Sequence, residues 1–312
     1  MKGTPRVVAA PTQHITLAAL LPVAILALVW GCNWPILKVG VSEIAPLTFR
    51  ALTLPVAALG LLAAARLSGD SVRIPRNLWG KVALLAFFNI TGWNGLLLFG
   101  VQQLPAGRSA ILAFTMPVWT VLFSLFLLHE PLSKRKVIGM ALGMLGLSLL
   151  LGDDIRHLQR TPTAALLILG ASLAWAFGTV LLRKWKLPLA QNTLSGWMML
   201  AGWLPLAVLA PFFDAGPIKA PSAAGWFALV YNMILAGAVA HWAWYTLART
   251  LPVAVSSMSS LPVPVVGVFS GMLFLGERPG PGEWVALALV LAAMIAVLWV
   301  PRPVAVPSAP DN

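Results

Sequence analysis

Polar and aromatic side chains recur at helical spacing inside runs that are otherwise apolar. Trp30, Asn33, Trp34 and Leu37 stand at i, i+3, i+4 and i+7, one stripe of a helix. Asn89 and Trp93 share a face, with Asn94 beside them, and His241, Trp244 and Tyr245 share another. Met116 and Trp119 flank Pro117, and Trp175 stands one turn before Thr179. This set suits the wall of a chamber. Indole rings cover an apolar or aromatic body, or take a cation on the π face. Amides bond either end of a zwitterion without fixing a charge. The same residue types also have structural uses. Trp anchors the ends of spans, as expected of Trp79, Trp226, Trp284 and Trp299, and Asn or Ser inside a span bonds a neighbouring helix. For His241 the structural alternative is a bond to Ser256, Ser257, Ser259 or Ser260 of the next run.

Arg50 is the cation placed within an apolar run, and a charge at that depth points by default to function. Two uses are open: it holds a substrate carboxylate, or it pairs with Glu43, seven residues earlier. No acidic residue falls deep in a run, so His241 is the group that could titrate there. The chain carries no G-x-x-x-x-G-K-[ST], H-E-x-x-H or G-x-S-x-G pattern, which argues against ATP drive and against protease or hydrolase chemistry. The single cysteine, Cys32, excludes an intrachain disulfide and a Cys-based metal cage. No cofactor and no metal are expected, and the chain is read as a non-enzyme.

The elements that must position these residues are membrane helices. Hydrophobic residues make up 59% of the chain and charged ones 10%, against roughly 25% charged in a soluble domain. Crossing a bilayer core takes about 20 apolar residues. Ten such runs can be marked, near 15–37, 45–65, 80–101, 106–128, 135–152, 163–183, 190–212, 223–247, 253–275 and 282–300, with short connections. The tail 301–312 is polar and Pro-rich and reads as disordered. Lys2 and Arg6 precede the first run, and Leu28 to Cys32 loosely resembles a lipoprotein cleavage site. Trp30 spoils that site and the run continues to Leu37, so it reads as an uncleaved first span. Of the 21 Lys and Arg, fourteen fall on the side of the N-terminus and six on the other. The bias places both termini in the cytoplasm. The net charge of +12 is thus a topology signal rather than a nucleic-acid footprint, since no connection is long enough to form a soluble domain.

A repeat organises the runs. Trp30-Gly31 and Trp175-Ala176 are 145 residues apart, as are Met116-Pro117-Val118 and Leu261-Pro262-Val263. Glu130-Pro131 is echoed by Glu277-Arg278-Pro279. Five runs per half is an odd number, so the second half enters the bilayer from the opposite side. The expected fold is all-α integral membrane, ten transmembrane helices as two inverted-topology five-helix repeats, 15–152 and 163–300, joined by 153–162. Secondary transporters are commonly built so, with the site near midplane between halves. Pro117 and Pro262, placed mid-span, are expected to kink gating helices. Gly139 and Gly143 form a G-x-x-x-G pattern open to use within the chain or between protomers, so monomer and weak homodimer both stand.

Several of these landmarks carry a family resemblance. Trp30-Gly31-Cys32-Asn33-Trp34, the Pro46 to Arg50 segment, Pro117 and Leu127-Leu128-His129-Glu130-Pro131-Leu132 resemble the EamA-type repeat of the drug/metabolite transporter superfamily. Ala174-Trp175-Ala176, Pro262 and Leu275-Gly276-Glu277-Arg278 resemble a second copy. Within that family the chain is most similar to the YddG-type exporters of aromatic amino acids. The resemblance implies a bacterial inner-membrane carrier that exports amino acids and related metabolites by alternating access. The small multidrug relatives rely on a Glu in the first helix; Trp30 and Asn33 stand in that region here, so their proton antiport does not carry over. Two rival readings are a nucleotide-sugar or sugar-phosphate carrier, for which Arg50 alone is meagre, and a membrane enzyme or lipid-handling protein, for which no nucleophile or metal constellation is present.

Overall fold

Where no water reaches the backbone, every N–H and C=O must be bonded within the chain, so long apolar runs fold as helices. The computed structural model describes residues 17–156, 162–214, 220–244 and 260–298, and among them no strand occurs. The helices are α1 (Leu17–Glu43), α2 (Pro46–Leu67), α3 (Trp79–Ala86), α4 (Trp93–Gln103), α5 (Ala106–Ala113), α6 (Met116–Leu127), α7 (Lys134–Arg156), α8 (Pro162–Trp185), α9 (Gln191–Phe213), α10 (Ala223–Val230), α11 (Pro262–Leu275) and α12 (Pro281–Leu298). Seven described stretches are long and apolar enough to cross a membrane, and Pro262–Leu275 and Pro281–Val297 are shorter apolar helices. The first span is longer than its apolar core suggested. It carries Lys38 inside α1, because the Lys38 ammonium reaches back onto the end of α4.

Two spans contain a wider π-turn. Phe87–Gly92 links α3 to α4, and Tyr231–Val239 extends α10 toward Trp244. Both are 144 residues apart at their starts, close to the sequence repeat. Each leaves the ordinary pairing in a readable way. The Trp93 N–H reaches Phe88 O, and the Ala240 N–H reaches Leu235 O, each five residues back.

Packing crosses the two halves, and its main contacts recur when the halves are exchanged. α2 lies on α9, and α7 on α12. α1 packs on α11, and the equivalent α8 packs on α5 and α6. Small residues permit the close approach that membrane helices need. Gly139, Gly143 and Gly146 of α7 face Ala286, Leu289, Ala293 and Val297 of α12, so the G-x-x-x-G stripe is used within the chain. Large apolar side chains such as Phe126, Phe212 and Leu273 are exposed on the outside, as a lipid-facing surface requires.

Candidate functional site

The widened turn after α10 sets up an aromatic cluster. Because Ala240 bonds Leu235 O, the Ala236 carbonyl is passed over by its usual donor. The Trp30 indole donates to it at 3.1 Å, and His241 Nδ1 lies 3.2 Å from it. A carbonyl only accepts, so Nδ1 carries the proton in that contact. Trp30 meets the His241 ring edge-on at 5.2 Å and the Trp244 ring at 6.3 Å. Tyr231 Oη, on the same turn, donates to Val29 O at 2.8 Å and ties it to α1. Tyr245, expected in this cluster, lies outside the described residues, as do Ser256, Ser257 and Ser259.

Arg50 reaches the same widened turn at Asn232. Its Nη1 donates to Asn232 Oδ1 at 3.1 Å; Asn232 Nδ2 in turn donates to Asn33 Oδ1 at 2.9 Å and to Ala228 O at 3.1 Å. The expected alternative partner, Glu43, is elsewhere. Pro46 starts a new helix, so Glu43 and Arg50 do not share a face; Glu43 instead accepts from Ser222 N and Oγ. Arg50 is 8% exposed, its Nε has no partner, and among the described residues no carboxylate pairs with it. Arg108 is the instructive contrast. It too is buried, in the first turns of α5, but it lies 3.6 Å from Glu283 and donates to Leu150 O.

A second cluster forms where α8 of the second half meets residues of the first. Trp93 and Trp175 rings lie 5.0 Å apart. Asn89 and Asn94 are buried and each donates one turn back, to Leu85 O and Ile90 O. Asn89 lies directly over Gly178. Trp119 donates to Thr115 Oγ1 at 3.2 Å, and Thr115 lies 3.3 Å from Ser172 Oγ. Met116, Trp119, Trp30 and Trp93 pack, half-buried, on one shared core. Both prolines stand at helix starts. Pro117 sits in the first turn of α6 after a break at Phe114–Thr115, and Pro262 in the first turn of α11, where a missing N–H costs nothing.

The sequence profile of the EamA-like transporter family matches residues 17–152 and again 162–299. The chain belongs to the EamA-like transporter family. It is a multi-pass membrane transporter of the drug/metabolite superfamily, built from two EamA units. The inner membrane transporter YedA of Escherichia coli (strain K12) is 29% identical, over 92% of this chain and 94% of its own. A protein of the same organism named a probable amino-acid metabolite efflux pump is 26% identical, over 86% and 91%. A solved crystal structure superposes with a TM-score of 0.65 at 21% identity, covering 90% of this chain and 96% of its own, which shows the fold.

The EamA units also share a helix end that the sequence marked only as a doubled Glu. After α6 and after α11 the backbone turns left-handed, at His129 (φ 55°) and Gly276 (φ 65°). Glu130 N and Glu277 N then close six residues back, on Ser124 O and Gly271 O, both at 3.3 Å. The two carboxylates go different ways. Glu277 accepts from Ala106 N at 2.5 Å and Gly107 N at 2.9 Å, capping the start of α5. Glu130 takes Lys136 at 2.8 Å and Arg183 at 3.9 Å. Beside Glu277, Lys38 Nζ donates to Val101, Gln102 and Leu104 carbonyls at 2.8–2.9 Å, closing the end of α4.

Proposed function

We propose that this EamA-like transporter is an alternating-access carrier that exports amino acids, aromatic ones preferred, across a bacterial inner membrane. The observation that carries the reading is the exchange of packing between halves around two aromatic–amide clusters. In this reading ten helices form two inverted repeats, 15–152 and 163–300, with both termini cytoplasmic. An odd number of spans per half turns the second copy over, so the two clusters face one another near midplane. Trp30, Asn33, Asn89, Trp93, Asn94, Met116, Trp119, Trp175, His241, Trp244 and Tyr245 line the chamber. The break before Pro117 and the helix start at Pro262 let α6 and α11 swing as short rods. A G-x-x-x-G stripe already covered by α12 supports a monomer as the working unit. The amino-acid assignment draws on the rings and amides of the clusters and on the name of the E. coli efflux relative.

Uptake of radiolabelled tryptophan, phenylalanine and threonine into proteoliposomes tests the reading. Saturable uptake of the aromatic pair without an imposed pH gradient is the expected result. Accumulation only with a gradient makes the carrier proton-coupled and His241 its carrier of the proton. Absence of uptake for all three discards the amino-acid assignment. Trp30→Ala and His241→Ala should each cut uptake at least tenfold while the protein still inserts.

A further inference from the structure

We infer that Arg50 is the anchor for a substrate carboxylate, and that the carrier accepts aryl- or apolar-bodied carboxylic acids whether or not they bear an amino group. The inference rests on the carrier reading above and names its substrate class. Three observations carry it.

The guanidinium lacks a counter-ion where one is needed. Arg50 is 8% exposed within a span, and a lone cation at such depth is costly unless an anion meets it. Arg108, in the same fold, has that anion in Glu283. Arg50 has one neutral amide oxygen, from Asn232.

The buried edge left unbonded has the right donors. Asn232 occupies Nη1, which leaves the Nε side of the fork without a described hydrogen bond. That side presents two parallel N–H groups and matches a carboxylate bidentately. Asn232 is itself held by Asn33 Oδ1 and Ala228 O, so the fork is fixed before a ligand arrives. Four residues along the same turn, Ala236 O holds Trp30 and faces His241. Asn232, which holds Arg50, and Ala236 O, which holds Trp30, thus stand on one π-turn, so the seats for anion and ring share that turn.

An ammonium has no comparable seat. Of the nine acidic residues none falls mid-span. Glu43, Glu130, Asp214, Glu277 and Glu283 sit at helix ends and are held by backbone N–H groups, hydroxyls or basic side chains there. The chamber thus recognises an anion and a ring, and leaves the amino group to amides that do not require it.

Three indoles with different charges separate the outcomes. Indole-3-propionate and tryptamine are tested as inhibitors of radiolabelled tryptophan uptake by the full chain in proteoliposomes. The acid should inhibit at concentrations similar to unlabelled tryptophan, and tryptamine should need more than tenfold higher. Arg50→Gln should raise the half-inhibitory concentration of the acid at least tenfold. Asn232→Asp is the second variant. It sets a carboxylate against the guanidinium, retains the fold through an ion pair, and should weaken acid inhibition at least tenfold, whereas a purely structural Arg50 leaves it unchanged. Inhibition by tryptamine equal to the acid, or native acid inhibition in Asn232→Asp, overturns the inference and leaves the amino-acid carrier standing. No saturable tryptophan uptake by the native protein brings down the carrier reading, and the inference with it.

Discussion

In the first half Asn33 receives a hydrogen bond from Asn232, and Asn232 receives one from Arg50. At the matching positions of the second half, 145 residues on, Gly178 replaces Asn33 and Ser195 replaces Arg50. Asn89 lies over Gly178 as Asn232 lies by Asn33, and donates one turn back to Leu85 O as Asn232 does to Ala228 O. The backbone device is therefore common to both meeting places of the halves, while the charge and its amide relay occur at one of them. A duplicated scaffold fixes where helices meet. It leaves each copy free to differ in the groups it points at that meeting place, and here the difference makes an asymmetric chamber from a symmetric frame.

The largest expected effect comes from the two arginines themselves. Arg108→Ala strands Glu283 and should cost about 3–5 kcal/mol of stability, the usual penalty for breaking a buried pair. Arg50→Gln, with no anion to strand, should cost under about 1 kcal/mol. Thermal or denaturant unfolding in detergent gives both, and equal losses would break the distinction between a structural and a ligand-facing cation. A middle effect is expected across the amide positions. A Cβ added at Gly178 collides with the Asn89 amide, so Gly178→Ala should destabilise by about 1–3 kcal/mol. Asn33→Gly, which copies the second half into the first, removes one hydrogen bond and should cost about 1 kcal/mol. If the order is reversed, the two halves are not equivalent frames.

A small effect is expected at Glu130, a partly exposed member of the doubled Glu. Lys136, as hydrogen-bond donor, and then its charge and that of Arg183, hold the Glu130 carboxyl below its usual range. A depressed carboxyl stabilises above the unfolded value near 4.5, and that contribution is lost as pH falls below it. Glu130 is solvent-reachable, so Glu130→Gln should flatten the acid limb of a stability–pH curve by less than about 1 kcal/mol. Glu277→Gln weakens a charged cap on two backbone N–H groups and should cost more, about 1–2 kcal/mol at neutral pH.

Much of the frame was legible because apolar runs and their length follow from the bilayer. His241 and Trp244 could be grouped because a spacing of three predicts a shared face, and the structure adds Trp30 from another helix. The partner of Arg50 could not. Counting seven residues back to Glu43 assumes an unbroken helix, and Pro46 ends that continuity. Asn232 was missed because it is a lone amide in an apolar run, with no periodic companion to mark it. Pro117 marked the right place but a different kind of break, a helix start after a turn rather than a bend. The widened turns left no mark at all: Tyr231 to Val239 contains no proline, and only in the fold does it lie against α1 and α2.

Those two turns tie the site to the count of residues as much as to their identity. Removing one residue between Tyr231 and Val239 would let the helix return to four-residue pairing and rotate everything beyond it by about 100°. The Ala236 carbonyl would be claimed by its own helix, and His241 and Trp244 would swing away from Trp30. A connecting loop absorbs such a deletion with little loss. Here it would erase the aromatic cluster while leaving every side chain of that cluster in the chain, so that a scan by substitution would never reveal what holds it together.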